Sequence, residues 1–81
     1  MTVTVRFVAW LCDAAGREDC QLHLPSGVDA NAVKAVIVQQ FQGLAGLLDS
    51  CRLAINWEYQ LWDTPVQNGD ELCLIPPVSG G

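Results

Sequence analysis

Between two stretches that alternate like β-strands, this chain carries a single apolar stripe at helical spacing. Val33, Val36, Ile37 and Phe41 recur at i, i+3, i+4 and i+8, which places them on one face of an α-helix. Lys34, Gln39 and Gln42 fall largely off that face. The segment Val28-Asp29-Ala30-Asn31 opens the helix, with Asp29 placed to cap its free amides. It is expected to run to about Gln42 and to end at Gly43 and Gly46. A chain of 81 residues is one domain with a small, continuous core. One helix in such a chain has to bury its stripe against a sheet, so the stripe reads as core and the class as α+β.

The strands are read from period two. In residues 2–9, Val3, Val5, Phe7 and Ala9 share one face and Thr2, Thr4, Arg6 and Val8 the other. Val8 is the apolar exception on the polar side. Residues 10–16 form a short helical turn closed by Gly16. Cys20, Leu22 and Leu24 face inward on a second strand that pairs with the first like a hairpin, and His23 faces outward as a solvated strand residue. After a connector over residues 47–50, a third strand covers 52–56, a turn 56–59 and a short edge strand 60–63. Val66 anchors an otherwise polar connector, Asn68-Gly69 marks a tight turn, and residues 71–75 form the last strand. There Leu72 and Leu74 share one face, Glu71, Cys73 and Ile75 the other. The first and last strands are the most apolar and are expected at the centre. As neighbours joined through the helix they run parallel. One main helix on a mixed sheet of four to five strands is the β-grasp, or ubiquitin-like, architecture.

Composition narrows the function. The formal net charge is −5, and the four basic residues, Arg6, Arg17, Lys34 and Arg52, do not cluster. Phosphate backbones need basic patches, so a nucleic-acid partner is not expected. An acidic domain suits a basic protein partner, attraction mainly speeding encounter. Hydrophobic residues make up 51%, which fits a well-filled core or an apolar face that a partner covers. No apolar run reaches the length of about 20 residues that spans a bilayer. The first residues lack the basic start and apolar centre of a signal peptide, so no membrane partner and a cytoplasmic location are expected. Cys12, Cys20, Cys51 and Cys73 contain no C-x-x-C pair. They read as reduced, largely buried thiols, with no metal site.

The last residues, Pro76-Pro77-Val78-Ser79-Gly80-Gly81, are the stretch with chemical meaning. Two prolines stop the strand and aim the remaining residues outward in extended form. Gly80 and Gly81 have no Cβ, so backbone alone can enter a narrow channel. Residues 1–75 thus read as the folded domain and 76–81 as a slender stalk carrying a carboxylate.

With Leu53-Ala54-Ile55-Asn56, the Gly69-Asp70-Glu71 turn and the Pro76-Pro77-Val78-Ser79-Gly80-Gly81 end in view, the chain resembles the small subunit of molybdopterin synthase (MoaD family), a ubiquitin-like sulfur carrier. Phe7, Ala9 and the length fit that family as well. The resemblance implies that an E1-like adenylyltransferase uses ATP to adenylate the Gly81 carboxylate. A sulfur donor then converts it to a thiocarboxylate. The tail enters the large, catalytic subunit of the synthase, where the sulfur passes to cyclic pyranopterin monophosphate. Two carriers dock on a dimer of the large subunit, a heterotetramer. The carrier itself binds no cofactor and brings no acid or base, Gly81 being the reacting group and Gly80 giving clearance. Val8, Ile75 and, by family position, Tyr59 are expected to contact both partners, together with Pro76, Pro77, Val78 and Ser79 of the tail. Trp57 and Trp62 are either partner anchors or half-buried sheet filler. The rival readings are a sulfur carrier for thiamin thiazole synthesis, one for tRNA thiolation or protein modification, and a ubiquitin-like interaction module whose tail is never activated.

Overall fold

The computed structural model describes residues 1–77. Five strands form one mixed sheet, with β1 Thr2–Phe7, β2 Asp19–His23, β3 Arg52–Ile55, β4 Glu58–Gln60 and β5 Glu71–Ile75 in the order β2-β1-β5-β3-β4. Helix α1 covers Leu11–Ala15 and helix α2 Ala30–Gln40. β1 and β5 are central and parallel, with Val5 opposite Leu72 and Phe7 opposite Leu74. β2 and β3 flank them antiparallel. This is the β-grasp expected from the order of elements.

The alternation read from the sequence sorts the side chains. Val3, Val5, Phe7, Cys20, Leu22, Leu53, Ile55, Leu72 and Leu74 point to one face and are buried. Ala30, Val33 and Ile37 of α2 close over that face. Phe41 joins them with its ring edge against Phe7, centroids 5.3 Å apart. Asp29 caps α2 as expected, its carboxylate accepting from the Ala32 amide at 3.2 Å. Leu44, Leu48 and Val66 fill the margins of the core. No helix among the described residues is long and apolar enough to cross a membrane.

Four boundaries differ from expectation, each for a local reason. β1 ends at Phe7 and not at residue 9, because Ala9 takes a left-handed backbone, φ 54°. Ala9 is therefore exposed and is not an inward strand residue. α2 stops at Gln40, short of Gln42 and of both glycines; Phe41 leaves helical geometry to reach Phe7, and a 3₁₀ turn follows at Gln42–Leu44. β3 ends at Ile55, since Asn56 already has φ 50°. The turn after it is only two residues, Asn56 and Trp57, with Ile55 paired to Glu58. The edge strand accordingly begins at Glu58, two residues earlier than the spacing indicated. Both turn residues have positive φ, 50° and 72°, the backbone that matches a hairpin's right-handed twist.

Candidate functional site

The outer face of the sheet, opposite α2, is where the candidate residues meet. β5 is bonded on both sides and delivers the chain to Ile75, with Pro76 half-buried and Pro77 exposed beyond it. Val8, just past β1, donates its amide to the Leu74 carbonyl at 3.2 Å and so lies beside Ile75. On the other flank Ile75 is opposite Arg52. The Arg52 guanidinium lies over the Tyr59 ring, 5.5 Å from its centroid. Val8, Ile75 and Arg52 therefore form one row at the end of the sheet where the tail departs, and Arg52 extends it diagonally to Tyr59, which is opposite Ala54. Val8 is 37% exposed and Tyr59 66%, so the apolar members of the row are open to solvent. Val78, Ser79, Gly80 and Gly81 lie outside the described residues.

Sequence reading missed two members of this face, Leu61 and Arg52, and one exposed ring beyond it, Trp10. Leu61 is 75% exposed; its signal was its spacing two residues past Tyr59, obscured while the edge strand was placed too late. Trp10, 42% exposed, follows the left-handed Ala9 that ends the run of β1; no residue type announces that turn. Arg52 was counted only as an isolated charge. Of the two uncertain tryptophans, Trp62 is half-buried against the core, its Nε1 donating to the Cys51 carbonyl at 3.4 Å and Lys34 lying 5.0 Å from its ring centroid. It is filler. Trp57 is 75% exposed, at the end of the sheet away from the tail.

One layer nearer the middle of the outer face, Arg6 stands between two carboxylates. Its Nε is 3.1 Å from Glu71 Oε1, and its terminal nitrogen is 4.0 Å from Asp19. Glu71 Oε1 is buried without an aligned hydrogen bond, so the Arg6 contact is one of charge and not of directed bonding. Cys73, opposite Arg6, is buried on this face although it belongs to the outward set of β5. Burial pushes the Cys73 thiol up; Glu71 adds to that and Arg6 opposes it. Burial likewise raises Cys20 and Cys51, with Arg17 and Lys34 respectively pulling the other way. Thiols held protonated are weak nucleophiles, so none of these three is suited to carry sulfur. His23 is exposed and paired with the Thr2 hydroxyl at 3.0 Å, far from the tail root. The face thus offers apolar contact, one stacked cation and a strand end aimed outward.

Such a face suits a domain that presents its end to another protein, and the comparisons say which kind. The profile of the ThiS family matches residues 5–81. The chain belongs to the ThiS family. A molybdopterin synthase sulfur carrier subunit from Arabidopsis thaliana is 36% identical over 69 residues, covering 85% of this chain and 72% of that protein. Among solved structures, the ThiS-family chain resembles one in a protein-protein complex of subunits 1 and 2 of molybdopterin-converting factor from Helicobacter pylori 26695. That likeness has a TM-score of 0.72 at 30% identity, covering all of both chains. The small archaeal modifier protein SAMP1 from Haloferax volcanii superposes with a TM-score of 0.92 at 22% identity, again over both whole chains, and shares the fold.

Proposed function

We propose that this ThiS-family chain is the cytoplasmic sulfur carrier of molybdenum cofactor biosynthesis, the small subunit of a molybdopterin synthase. An E1-like enzyme joins the Gly81 carboxylate to AMP from ATP, releasing pyrophosphate. A carboxylate is a poor electrophile, and the adenylate supplies the leaving group it lacks. A sulfur nucleophile then displaces AMP and leaves a thiocarboxylate. The loaded tail enters the large subunit, where a closed pocket holds the soft sulfur near cyclic pyranopterin monophosphate and keeps water out. The carrier contributes the sulfur and its position; catalysis belongs to the large subunit.

The observation that carries the reading is the 36% identity to a molybdopterin synthase sulfur carrier subunit across 85% of this chain. The strand ending at Ile75 beside an exposed apolar row supports it, because a tail threaded into a partner needs a surface to seat the domain that bears it. Val8, Tyr59, Ile75 and residues 76–79 are assigned to that seating, and Gly80 and Gly81 to the reaction.

Incubation with the cognate activating enzyme, ATP and a sulfur source should raise the intact mass by the difference between sulfur and oxygen. Addition of large subunit and pyranopterin should then return the original mass and yield molybdopterin. A carrier for thiamin thiazole synthesis would load and not discharge; an unactivated interaction module would not load. Deleting Gly81, or adding one residue after it, should abolish transfer while leaving the circular dichroism spectrum unchanged. Full transfer by an extended, untrimmed variant would overturn the assignment.

A further inference from the structure

The four cations of this chain are not used alike. Arg6 meets Glu71 and Asp19, Lys34 meets Asp49 at 2.7 Å, and Arg17 donates to the Asp19 carbonyl at 2.6 Å. Among the described residues Arg52 meets no carboxylate, only the face of Tyr59. Nine acidic residues leave the chain at −5, yet Arg17 and Arg52 have no carboxylate partner among the described residues, and of the two only Arg52 lies against a ring. It is also the polar member of an apolar row, with Ile75 on one side and Tyr59 on the other. At the β4 edge of the sheet an open groove of about 480 Å³ is lined by Arg52, Tyr59 and Leu61 together with Leu53, Gln60 and Trp62.

We propose that Arg52 is a specificity-determining residue of the docking face and that it takes a carboxylate side chain of the large synthase subunit, seated in the groove beside Tyr59. The inference rests on the reading of this chain as a synthase small subunit and adds the chemistry of the contact. Stacking on Tyr59 fixes the guanidinium plane before the partner arrives, which lowers the ordering cost of a bidentate bond. A partner that closes over the apolar row then excludes water from the pair, raising its worth above that of an exposed ion pair. The overall negative charge repels acidic surfaces at long range, so this contact forms only on close docking and selects among docked partners rather than steering them. A protein that covers the row without offering a carboxylate leaves Arg52 desolvated and unpaired, and is rejected. The large subunit is the partner chosen because a related chain of 30% identity has been solved in complex with its subunit 2.

Calorimetric titration of the full chain with its cognate large subunit, at low and high salt, tests this. Arg52→Leu keeps the apolar stem and should raise Kd on the order of tenfold or more, while flattening its salt dependence. Arg52→Lys, a point charge without the planar fork, should recover only part of the loss. Thermal unfolding of both variants should match the unsubstituted chain, since Arg52 is exposed. Unchanged Kd for Arg52→Leu, or a loss with unaltered salt dependence, overturns the proposal. So does a variant impaired with the activating enzyme alone. Val8→Asp separates this from the underlying reading. If Val8→Asp weakens docking and Arg52→Leu does not, only the carboxylate contact fails. If neither does, the face is not where the large subunit binds.

Discussion

Trp57 occupies a backbone position that its side chain makes costly. A φ of 72° is unusual for a bulky residue, and at 75% exposure the indole recovers little by burial. Its neighbour Asn56 tolerates φ 50° and adds two bonds that tie the hairpin to β5. Its amide group donates to Asp70 at 2.9 Å, and its carbonyl oxygen accepts from the Glu71 amide at 3.0 Å. Trp57→Gly should therefore raise stability by about 0.5–1 kcal/mol, relief of the left-handed strain exceeding the entropy that glycine adds to the unfolded chain. Urea denaturation reads the change; a lower midpoint would mean that the indole makes a stabilising contact. The same residue explains why the edge strand was misplaced from sequence. Asparagine announces a turn, whereas tryptophan at positive φ announces nothing, and a two-residue hairpin is invisible when its second member is the wrong residue type for it.

At the level of elements, the sheet and its helix were legible because burial on one face imposes period two on β1, β2 and β5 and a stripe on α2. Asp29 was readable as a cap for the same local reason. Its replacement by Ala should cost about 1 kcal/mol, as the Ala32 amide loses its side-chain acceptor and keeps only the Asp29 carbonyl; an unchanged thermal midpoint would show that the carbonyl and water suffice. Element ends were less legible. α2 stops where Phe41 swings toward Phe7, an event decided by a residue more than thirty positions away. The candidate face was half-legible. Val8 stood out as an apolar break in a polar set, and Ile75 shared the outward parity of Glu71, but Arg52 became significant only when the sheet set it between Ile75 and Tyr59. Tyr59 came from resemblance to a family and not from spacing, whereas the closing glycines stood out by their missing side chains and took their chemical role from that resemblance.

For the molecule as a whole, three buried thiols tie stability to pH. Burial raises Cys20, Cys51 and Cys73 above their ordinary value, so the folded chain holds these protons more tightly than the unfolded one. The contribution is complete below the unfolded thiol pKa of about 8.5 and is lost as pH rises through the raised folded values. The urea midpoint should fall with increasing pH above about 8.5, and replacing the three thiols by Ala should flatten that decline even if it lowers the midpoint throughout. A decline of equal steepness in the variant would assign it to other groups.

The parallel pairing of β1 with β5 has a mechanical corollary. Any pull on the residues after Ile75, such as withdrawal of a spent carrier from a tight sleeve, acts along the axis of β5, which is laddered to β1 on one side and to β3 on the other. Load applied that way is shared by both ladders at once and cannot peel them bond by bond. A domain laddered on both sides of its last strand is thus built to bear force along that strand.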